Sequence, residues 1–420
     1  MTPHSFNSSQ KIAYCGVSVQ DYCGYPESGL PNWWDKAISY IIWVNLILST
    51  LMKQDLFDIA IIGAGVIGHS IAFRLKQSKP ELRLAVLGDP MSSLMASRAA
   101  AGMLAPFCEC DKADRFFGFC RESLEKYPGF IEELSSVSGV SIHLSMKGSL
   151  MPSSSFGGDW EEQIRFFREE NIPHEIWSPD RRREQAPALA DSCGEVIWVG
   201  EGQVNNREMH DALVMASQKL GVEILEKNVT GFLHDSSTVE AAVTDAGEVR
   251  GRQFVLASGS WSSQLGNILD VSLPLKPIKG QMCRLKLEDD RLDYTIHGLL
   301  TYIAPWKGKG FVLGSTMEDR GFDPAIEDEA IRDLIHRAAQ VVPCLEDAPL
   351  IESWAGFRPA AEDLMPVMGK SSRYGNLFYS TGHYRNGILQ TPHQADYTAE
   401  TILETLADEI SEFSPQRYNL

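Results

Sequence analysis

The chain has 420 residues, a length that suits two domains or one large α/β unit. Hydrophobic residues make up 44% of the sequence and charged residues 22%, which is ordinary for a folded globular protein. The formal net charge is −18, from 38 Lys plus Arg against 56 Asp plus Glu. This balance argues against nucleic acid as a partner, because phosphate binding draws on clustered cations.

Residues 1–52 are predicted to be an N-terminal extension that the folded protein does not need. The extension ends in the apolar run "AISYIIWVNLILSTLM", residues 37–52. This run is shorter than the roughly 20 residues that span a bilayer, and it lacks the flanking pattern of a signal peptide. A membrane-associated helix and a packed structural segment stay open as alternatives, although membrane association is not expected.

The stretch "DIAIIGAGVIGHSIAFRLKQ" predicts a strand, a tight turn and a helix. Residues 59–62, which follow Asp58, are apolar, as in a strand that is buried on both faces. Gly63, Gly65 and Gly68 match the GxGxxG pattern, in which the glycines allow the turn, the approach of a pyrophosphate and the packing of helix on strand. The helix N-terminus would bind the pyrophosphate. This segment therefore predicts dinucleotide binding.

The second predicted strand, "LRLAVLGDP", should end in an acidic residue that binds ribose hydroxyls. Gly88 occupies that place, and Asp89 follows one residue later. Asp89 is therefore either the ribose ligand or a turn residue before Pro90.

Eight cysteines are scattered along the chain, and none forms a CxxC pair. The closest pair is "CEC", residues 108–110, whose spacing suits no common zinc pattern. We therefore expect no metal site. Scattered thiols in a large chain fit a reducing compartment, so we predict a cytoplasmic protein.

Pieces of a nucleotide-binding fold recur in the middle and at the end of the chain. An amphipathic helix is predicted at about 207–220, a buried strand at 254–257 and a closing amphipathic helix after residue 387. The segments between these pieces carry the glycine-punctuated pattern of antiparallel strands. The predicted fold is α/β (α+β, two domains), with a doubly wound Rossmann-like domain and an inserted, mostly antiparallel β-sheet substrate domain. The predicted boundaries are an extension of residues 1–52, a nucleotide-binding domain of residues 53–139, 200–270 and 340–420, and a substrate domain of residues 140–199 and 271–339.

One arginine stands out in the segment "WAGFRPAAEDLMPVMG", residues 354–369. Arg358 lies between an aromatic residue and a proline, and its permanently charged, planar guanidinium favours a planar anion as partner. The anion is either the carboxylate of Glu362 or Asp363, in a structural ion pair, or the carboxylate of a substrate.

Four segments together resemble the D-amino-acid oxidase superfamily of flavoproteins, and within it the glycine oxidases of thiazole synthesis. They are "IIGAGVIG", "SRAAAGML" (residues 97–104), "WAGFRPAAEDLMPVMG" and "GHYRNGIL" (residues 382–389). The first segment is generic, whereas the last two are specific in their order and spacing before the terminal helix. The resemblance runs from about residue 53 to the end of the chain.

The resemblance implies one FAD, held without a covalent bond because no cysteine lies in residues 354–369. It implies that the pyrophosphate and the flavin lie along Val66, Ile67, Ala96, Ser97, Ala101, Gly102 and Met103. It implies that the backbone of Val229 holds the adenine end. It implies that the isoalloxazine is enclosed by His383, Tyr384, Arg385, Asn386, Gly387, Ile388 and Leu389. The substrate would contact Tyr302, Arg358 and Arg385.

The residue types support several of these roles, and each has a plainer alternative. The small side chains of "AAAGM" leave room for a flat cofactor, but they also suit a tightly packed helix start. Gly382, Asn386 and Gly387 permit positive φ, so that successive N–H groups can converge on one anion; an ordinary strand-to-helix turn is the alternative. Tyr302 lies in an apolar strand and could be a core tyrosine.

The implied activity is the oxidative deamination of glycine or another small amine that carries a carboxylate, by a homotetramer. Other enzymes of the superfamily stay open, namely a sarcosine oxidase or a D-amino-acid dehydrogenase that passes electrons to a quinone. A flavin domain that modifies tRNA is disfavoured by the net charge of −18. A flavin-binding scaffold without catalytic activity is the remaining alternative.

Overall fold

The computed structural model describes residues 56–110, 112–155, 159–287, 292–298, 301–407 and 409–420. The predicted extension of residues 1–52 and its apolar run lie outside these ranges. Residues 57–420 form one compact unit. Within the described ranges, no helix combines the length and the apolar character needed to cross a membrane.

The described α-helices carry the labels α1 to α9 in chain order. They are α1 (Val66–Ser78), α2 (Ala96–Ala99), α3 (Arg115–Ser138), α4 (Trp160–Glu169), α5 (Pro179–Gln185), α6 (Asn206–Lys219), α7 (Ser262–Ile268), α8 (Asp328–Val341) and α9 (Gly387–Ile402). The helices predicted at about 207–220 and after residue 387 are confirmed as α6 and α9.

The first sheet has eight strands and contains the predicted first strand of the chain. Its order is β10 (Val229–His234), β11 (Val239–Thr244), β12 (Gly247–Leu256), β1 (Leu56–Ile62), β2 (Leu84–Leu87) and β9 (Glu223–Leu225), with β19 (Leu377–Thr381) beside β12 and β18 (Val367–Lys370) beside β19. The pairs β1–β2, β2–β9 and β12–β19 are parallel, whereas β10–β11, β11–β12 and β18–β19 are antiparallel. The mixed sheet is the Rossmann-like core that the sequence predicts.

From Ile59 to Ile62, strand β1 is buried on both faces, which explains why these four residues are all apolar. Ile59 and Ile61 pack into a cluster with apolar side chains of α1 and α9. Ala60 and Ile62 point to the opposite face and pack with residues of β10, β11 and α7. This arrangement fixes the carboxyl end of β1, and the glycine turn that follows it, at the edge of the sheet.

The second sheet also has eight strands. Its order is β17 (Leu350–Ala361), β13 (Leu275–Leu285), β16 (Gly310–Gly314), β15 (Tyr302–Trp306), β14 (Thr295–His297), β5 (Ser149–Pro152), β7 (Val196–Val199) and β6 (His174–Trp177). Its strand pairs are antiparallel except β14–β5, which is parallel. A small sheet of β3 (Met103–Leu104), β8 (Gly202–Val204) and β4 (Leu144–Ser145) lies apart from both.

The strand pairing shows which segments of the chain contribute to the second sheet. The second sheet takes strands from the predicted substrate segments, 140–199 and 271–339. It also takes β17, which pairs with β13 from Leu350 to Ala361, although the sequence-based boundary places residues 340–420 in the nucleotide-binding domain. The long antiparallel pairing of β13 with β17 explains this difference, and the domain boundaries as such stay a prediction.

Candidate active site

A cavity of about 1460 Å³ lies among the ends of β1 and β2, the segment around α2, and strands of the second sheet. It exceeds the roughly 300–1,000 Å³ of a site for one drug-sized ligand, so it has room for a dinucleotide together with a small substrate. All the site residues proposed from the sequence line this cavity except Gly68 and Leu389.

The glycine turn after β1 forms one end of the cavity. Gly63 has φ +124°, and a Cβ there would lie 2.3 Å from the carbonyl oxygen of Ala257. A Cβ on Gly68 would lie 1.9 Å from the carbonyl oxygen of Gly63, so Gly68 serves the packing of α1 on the turn and faces away from the cavity. Helix α1 begins directly after Gly65, which has no side chain to cap it, and the N–H of Val66 donates to Ser97 Oγ at 3.1 Å. Its N-terminus therefore presents a positive dipole end to the cavity.

Asp89 lies on the cavity wall beside this turn. Its Oδ1 accepts a hydrogen bond of 2.7 Å from the N–H of Met91. This bond is typical of a turn residue, which is one of the two roles that the sequence allows for Asp89. The bond to Met91 uses only Oδ1, so the other oxygen of the carboxylate can still make the predicted ribose contact. That contact stays a prediction.

The segment "AAAGM" is held by tryptophans of the second sheet. The indole Nε1 of Trp354 donates to the carbonyl oxygen of Ala99 at 2.9 Å, and Nε1 of Trp306 donates to that of Ala101 at 3.1 Å. Gly102 has φ +85°, and a Cβ there would lie 1.8 Å from the carbonyl oxygen of Val204. The segment is therefore both tightly packed and on the cavity wall. Its small side chains are compatible with both roles considered from the sequence, close packing and room for a flat cofactor.

The turn before α9 forms a part of the cavity wall that adjoins β17 of the second sheet. Gly382 and Tyr384 have positive φ, 75° and 46°, and the N–H of Tyr384 donates to the carbonyl oxygen of Pro359 at 3.0 Å. Burial lowers the pKa of His383 to about 3, so its imidazole is neutral at physiological pH. Its Nε2 is buried and has no hydrogen-bond partner among the described residues. An orphaned polar atom on a cavity wall indicates a missing ligand.

Arg358 projects from β17 toward the cavity. The guanidinium lies across Gly280 of the neighbouring strand, where a Cβ would be 2.3 Å from Nη1. It donates to Ser315 Oγ and, at 3.4 Å, to the carbonyl oxygen of Thr316. Among the described residues, no carboxylate lies within ion-pair distance of this guanidinium.

The structural ion pair considered for Arg358 is not formed. Asp363 pairs instead with Arg417, at 2.8 Å between Oδ2 and Nε. Glu362 is exposed and forms no ion pair with Arg358. The positive charge of Arg358 is therefore available to an anion in the cavity.

Tyr302, the first residue of β15, lies beside Arg358. Its ring fills the space over Gly314, where a Cβ would lie 2.4 Å from the phenol oxygen. Burial raises the pKa of Tyr302 to about 12, although the charge of Arg358 acts in the opposite direction. Tyr302 therefore stays protonated at physiological pH and can donate a hydrogen bond into the cavity.

Arg385 lies on the cavity wall, but it already has a partner. Its Nη2 is 2.9 Å from Oε2 of Glu109, which also lines the cavity. Sequence reasoning passed over Glu109 because it considered the "CEC" segment only for its cysteines. The available signal was an acidic residue that follows the predicted flavin segment closely.

Sequence reasoning also passed over a second group at the same cavity. Cys108, Glu201 and His297 lie far apart in the chain, and their ligand atoms lie within 4.8 Å of one another. No spacing pattern connects these positions in the sequence, so only the fold reveals the group.

Comparisons with known proteins agree with this architecture. The family model "DAO: FAD dependent oxidoreductase" matches residues 58–401. The bifunctional protein ThiO/ThiG of Synechocystis sp. is 33% identical, covering 87% of this chain and 54% of that protein. Glycine oxidase of Geobacillus kaustophilus is 31% identical, covering 80% of this chain and 90% of that enzyme.

The crystal structure of glycine oxidase from Geobacillus kaustophilus superposes with a TM-score of 0.80 at 30% identity, covering 86% of this chain and 98% of that one. This chain spans about half the length of the ThiO/ThiG proteins it matches, 54% in the Synechocystis case, and nearly all of the glycine oxidase. This chain therefore belongs to the DAO family, which is described as a family of FAD dependent oxidoreductases.

Proposed function

We propose that this chain oxidises glycine, or a similarly small amine that carries a carboxylate, with dioxygen as the electron acceptor. The proposed reaction is glycine + O₂ + H₂O → glyoxylate + NH₃ + H₂O₂. The observation that carries the proposal is the guanidinium of Arg358, which faces the cavity with no carboxylate partner among the described residues.

The residues of the cavity fit FAD. The glycine turn and the N-terminus of α1, with the hydroxyl of Ser97 beside it, suit the pyrophosphate. The unpartnered Nε2 of His383 suits a polar edge of a bound ring system. We propose that the residues assigned from the sequence, from Val66 to Leu389, hold the cofactor here without a covalent bond.

Arg358 and Tyr302 would position the substrate. A guanidinium binds a carboxylate through two parallel N–H donors, which fixes the orientation of the α-carbon as well as its distance. The protonated hydroxyl of Tyr302 would donate to the same carboxylate. FAD, when bound, accepts the hydride from the α-carbon. No described side chain has to act as a base, because the amine can bind in its neutral form.

Arg385 is proposed as a second substrate contact, and its ion pair with Glu109 modifies that role. The pair neutralises one positive charge of the cavity and leaves Arg358 as the principal anion ligand. A substrate with one carboxylate would then suit the cavity better than a substrate with two.

The names of the relatives support a small substrate. Glycine oxidase of Geobacillus kaustophilus covers most of this chain, and the match to ThiO/ThiG covers 54% of that protein. We propose on this basis that the product feeds thiazole synthesis, as expected from the sequence resemblance. We also propose a cytoplasmic homotetramer, which sedimentation velocity and cell fractionation would test.

The test is a comparison of substrates under nitrogen and under air. Purified, flavin-loaded protein is mixed with glycine, N-methylglycine or D-alanine under nitrogen, and bleaching of the flavin absorbance is followed. We expect glycine to bleach the flavin and air to restore its colour with stoichiometric hydrogen peroxide. Bleaching that only a quinone reverses would identify a dehydrogenase, and no bleaching by any carboxylated amine would contradict the proposal.

A further inference from the structure

Three residues of metal-binding types lie together at the cavity: Cys108 and His297 line its wall, and Glu201 lies buried behind them. Cys108 follows β3, Glu201 lies between β7 and β8, and His297 ends β14. One possible ligand atom of each, a sulfur, an oxygen and a nitrogen, lies within 4.8 Å of the other two. The three residues come from three separate elements, so the fold itself brings them together.

Glu201 has the features of a ligand that lacks its ion. Its side chain is fully buried. Oε1 accepts hydrogen bonds from the backbone N–H groups of Phe107 and Cys108, at 2.7 Å and 2.8 Å. These bonds fix the carboxylate and leave Oε2 directed at the other two side chains. Oε2 has no hydrogen-bond partner among the described residues.

His297 completes the arrangement from the opposite side. Its Nε2 lies 3.8 Å from Oε2 of Glu201 and, within the described part of the chain, has no hydrogen bond of its own. Two unpartnered polar atoms that face each other in a buried place are unusual, because each leaves a desolvation cost uncompensated. A cation between them would compensate both.

The distances suit a tetrahedral dication. Zinc takes nitrogen and oxygen ligands at about 2.0–2.2 Å and sulfur at about 2.3 Å, so neighbouring ligand atoms lie roughly 3.3–3.8 Å apart. The 3.8 Å between Nε2 of His297 and Oε2 of Glu201 is slightly longer than the roughly 3.3–3.6 Å expected for a nitrogen and an oxygen ligand. The upper limit of 4.8 Å for the whole group requires the side chains to close by up to about 1.3 Å.

The chemistry of the three ligands selects the kind of metal. Thiolate, imidazole and carboxylate together suit zinc and similar transition-metal dications, whereas magnesium and calcium prefer oxygen alone.

We propose that Cys108, Glu201 and His297 bind one zinc-type dication, with the fourth coordination position open to the cavity. Binding forms bonds from the metal to Sγ, Oε2 and Nε2, and it releases the thiol proton to solvent. The ion would also connect the loop of Glu109 to the end of β14. Its binding does not depend on the substrate or on the proposed oxidase reaction.

The test is a metal titration of the flavin-loaded protein after dialysis against a chelator. We expect calorimetry with zinc chloride to give one ion per chain. Cobalt(II), bound in place of zinc, should give the intense ligand-field bands of a tetrahedral site at longer wavelengths than the flavin absorbs. Weak octahedral bands, or no bands at all, would overturn the proposal.

Variants locate the site. Even outer-shell partners change metal affinity by about 10–100-fold, so Cys108→Ser, Glu201→Gln and His297→Ala should each weaken zinc binding by more than about 100-fold. Cys110→Ser and the exposed His336→Ala are matched controls and should bind as wild type does. Unchanged binding in all three site variants overturns the proposal, and so does loss of binding in the controls. The cobalt spectrum of the wild type decides the question if a site variant does not fold.

Discussion

At the scale of single residues, two glycines determine where the substrate-binding side chains of this protein lie. Arg358 crosses Gly280 on the adjacent strand, and Tyr302 covers Gly314. Any larger residue at either position would occupy the space that the functional side chain fills. The two glycines therefore contribute to the site without touching a ligand.

Arg358→Ala should lower kcat/KM for glycine by roughly 30- to 5000-fold. Loss of one partner of a buried charge pair typically costs about 2–5 kcal/mol, and each ~1.4 kcal/mol is tenfold. Arg358→Lys should recover only part of the loss, because an ammonium lacks the planar fork. Steady-state kinetics with FAD content as a control measure this effect. An equal loss on an amine that lacks a carboxylate would show that Arg358 is structural.

Gly280→Ala should reproduce part of the Arg358 defect while the protein stays folded. The new Cβ would displace the far end of a flexible side chain, which moves at small cost to stability. A misplacement of about 1 Å can lower the rate by about 100-fold, so we expect a 10- to 100-fold loss in kcat/KM, mainly through KM.

The matched control is Gly231→Ala in β10, where a Cβ would meet Val243 at an ordinary 3.5 Å. It should leave the kinetics unchanged. A wild-type KM in Gly280→Ala would mean that substrate binding does not depend on the position of the Arg358 guanidinium in this structure.

These residues show what the sequence could predict and what it could not. Arg358 stood out because an isolated cation in an apolar segment needs an anion. Gly280 did not stand out, because its importance depends on the antiparallel register of β13 and β17. This register places Gly280 beside Arg358. Glu109 and His297 were missed for the same reason, since their partners are distant in sequence.

At the scale of elements, helix α9 closes the cavity and depends on α3 for one of its hydrogen bonds. Pro392 lies inside α9 and has no N–H, so the carbonyl oxygen of Ile388 lacks its helical donor. The hydroxyl of Tyr127, a buried residue of α3, donates to that oxygen instead. The hydroxyl of Ser123 donates to the next carbonyl, that of Leu389, at 2.7 Å. The sequence predicted α9 but gave no sign of this support.

Tyr127→Phe should destabilise the protein by about 1–3 kcal/mol, because it leaves the buried carbonyl of Ile388 without a donor. The cost should be smaller in a Pro392→Ala background, where the new backbone N–H supplies the missing bond. Thermal unfolding of the four proteins in this double-mutant cycle measures the coupling, which we expect at about 0.5–3 kcal/mol. Additive effects would show that Tyr127 stabilises α9 by ring packing alone.

At the scale of the whole molecule, the protein buries neutral histidines where helices meet the nucleotide sheet. His69 in α1 and His210 in α6 are fully buried, with ring centroids 5.9 Å apart. His210 Nε2 lies 2.8 Å from the carbonyl oxygen of Ala64, in the glycine turn. Burial lowers the pKa of His69 to about 3 and that of His210 to about 4. The neighbouring His210 lowers the pKa of His69 further. The hydrogen bond to Ala64 acts to raise the pKa of His210, but burial has the larger effect.

These pKa values make the fold sensitive to acid. An unfolded histidine has a pKa of about 6.5, so between about pH 6.5 and pH 4 the unfolded chain binds protons that the folded chain does not. The free energy of unfolding therefore falls as the pH decreases through this range, by up to about 1.4 kcal/mol per pH unit for each such histidine. Carboxylates add to this slope at the lower end of the range.

His69→Asn should reduce the acid sensitivity by the contribution of one proton, and His336→Asn, which removes an exposed histidine, should leave it unchanged. The measurement is the denaturant midpoint of flavin-loaded protein between about pH 7 and pH 5, where the histidines dominate the difference in bound protons. Because His210 bonds to the turn beside the predicted pyrophosphate site, acid should release FAD as the pH approaches about 4, where His210 becomes protonated in the folded protein, and flavin fluorescence reports this release. Equal slopes for wild type and His69→Asn would mean that His69 is already protonated in the folded protein, most simply because water reaches the ring between α1 and α6.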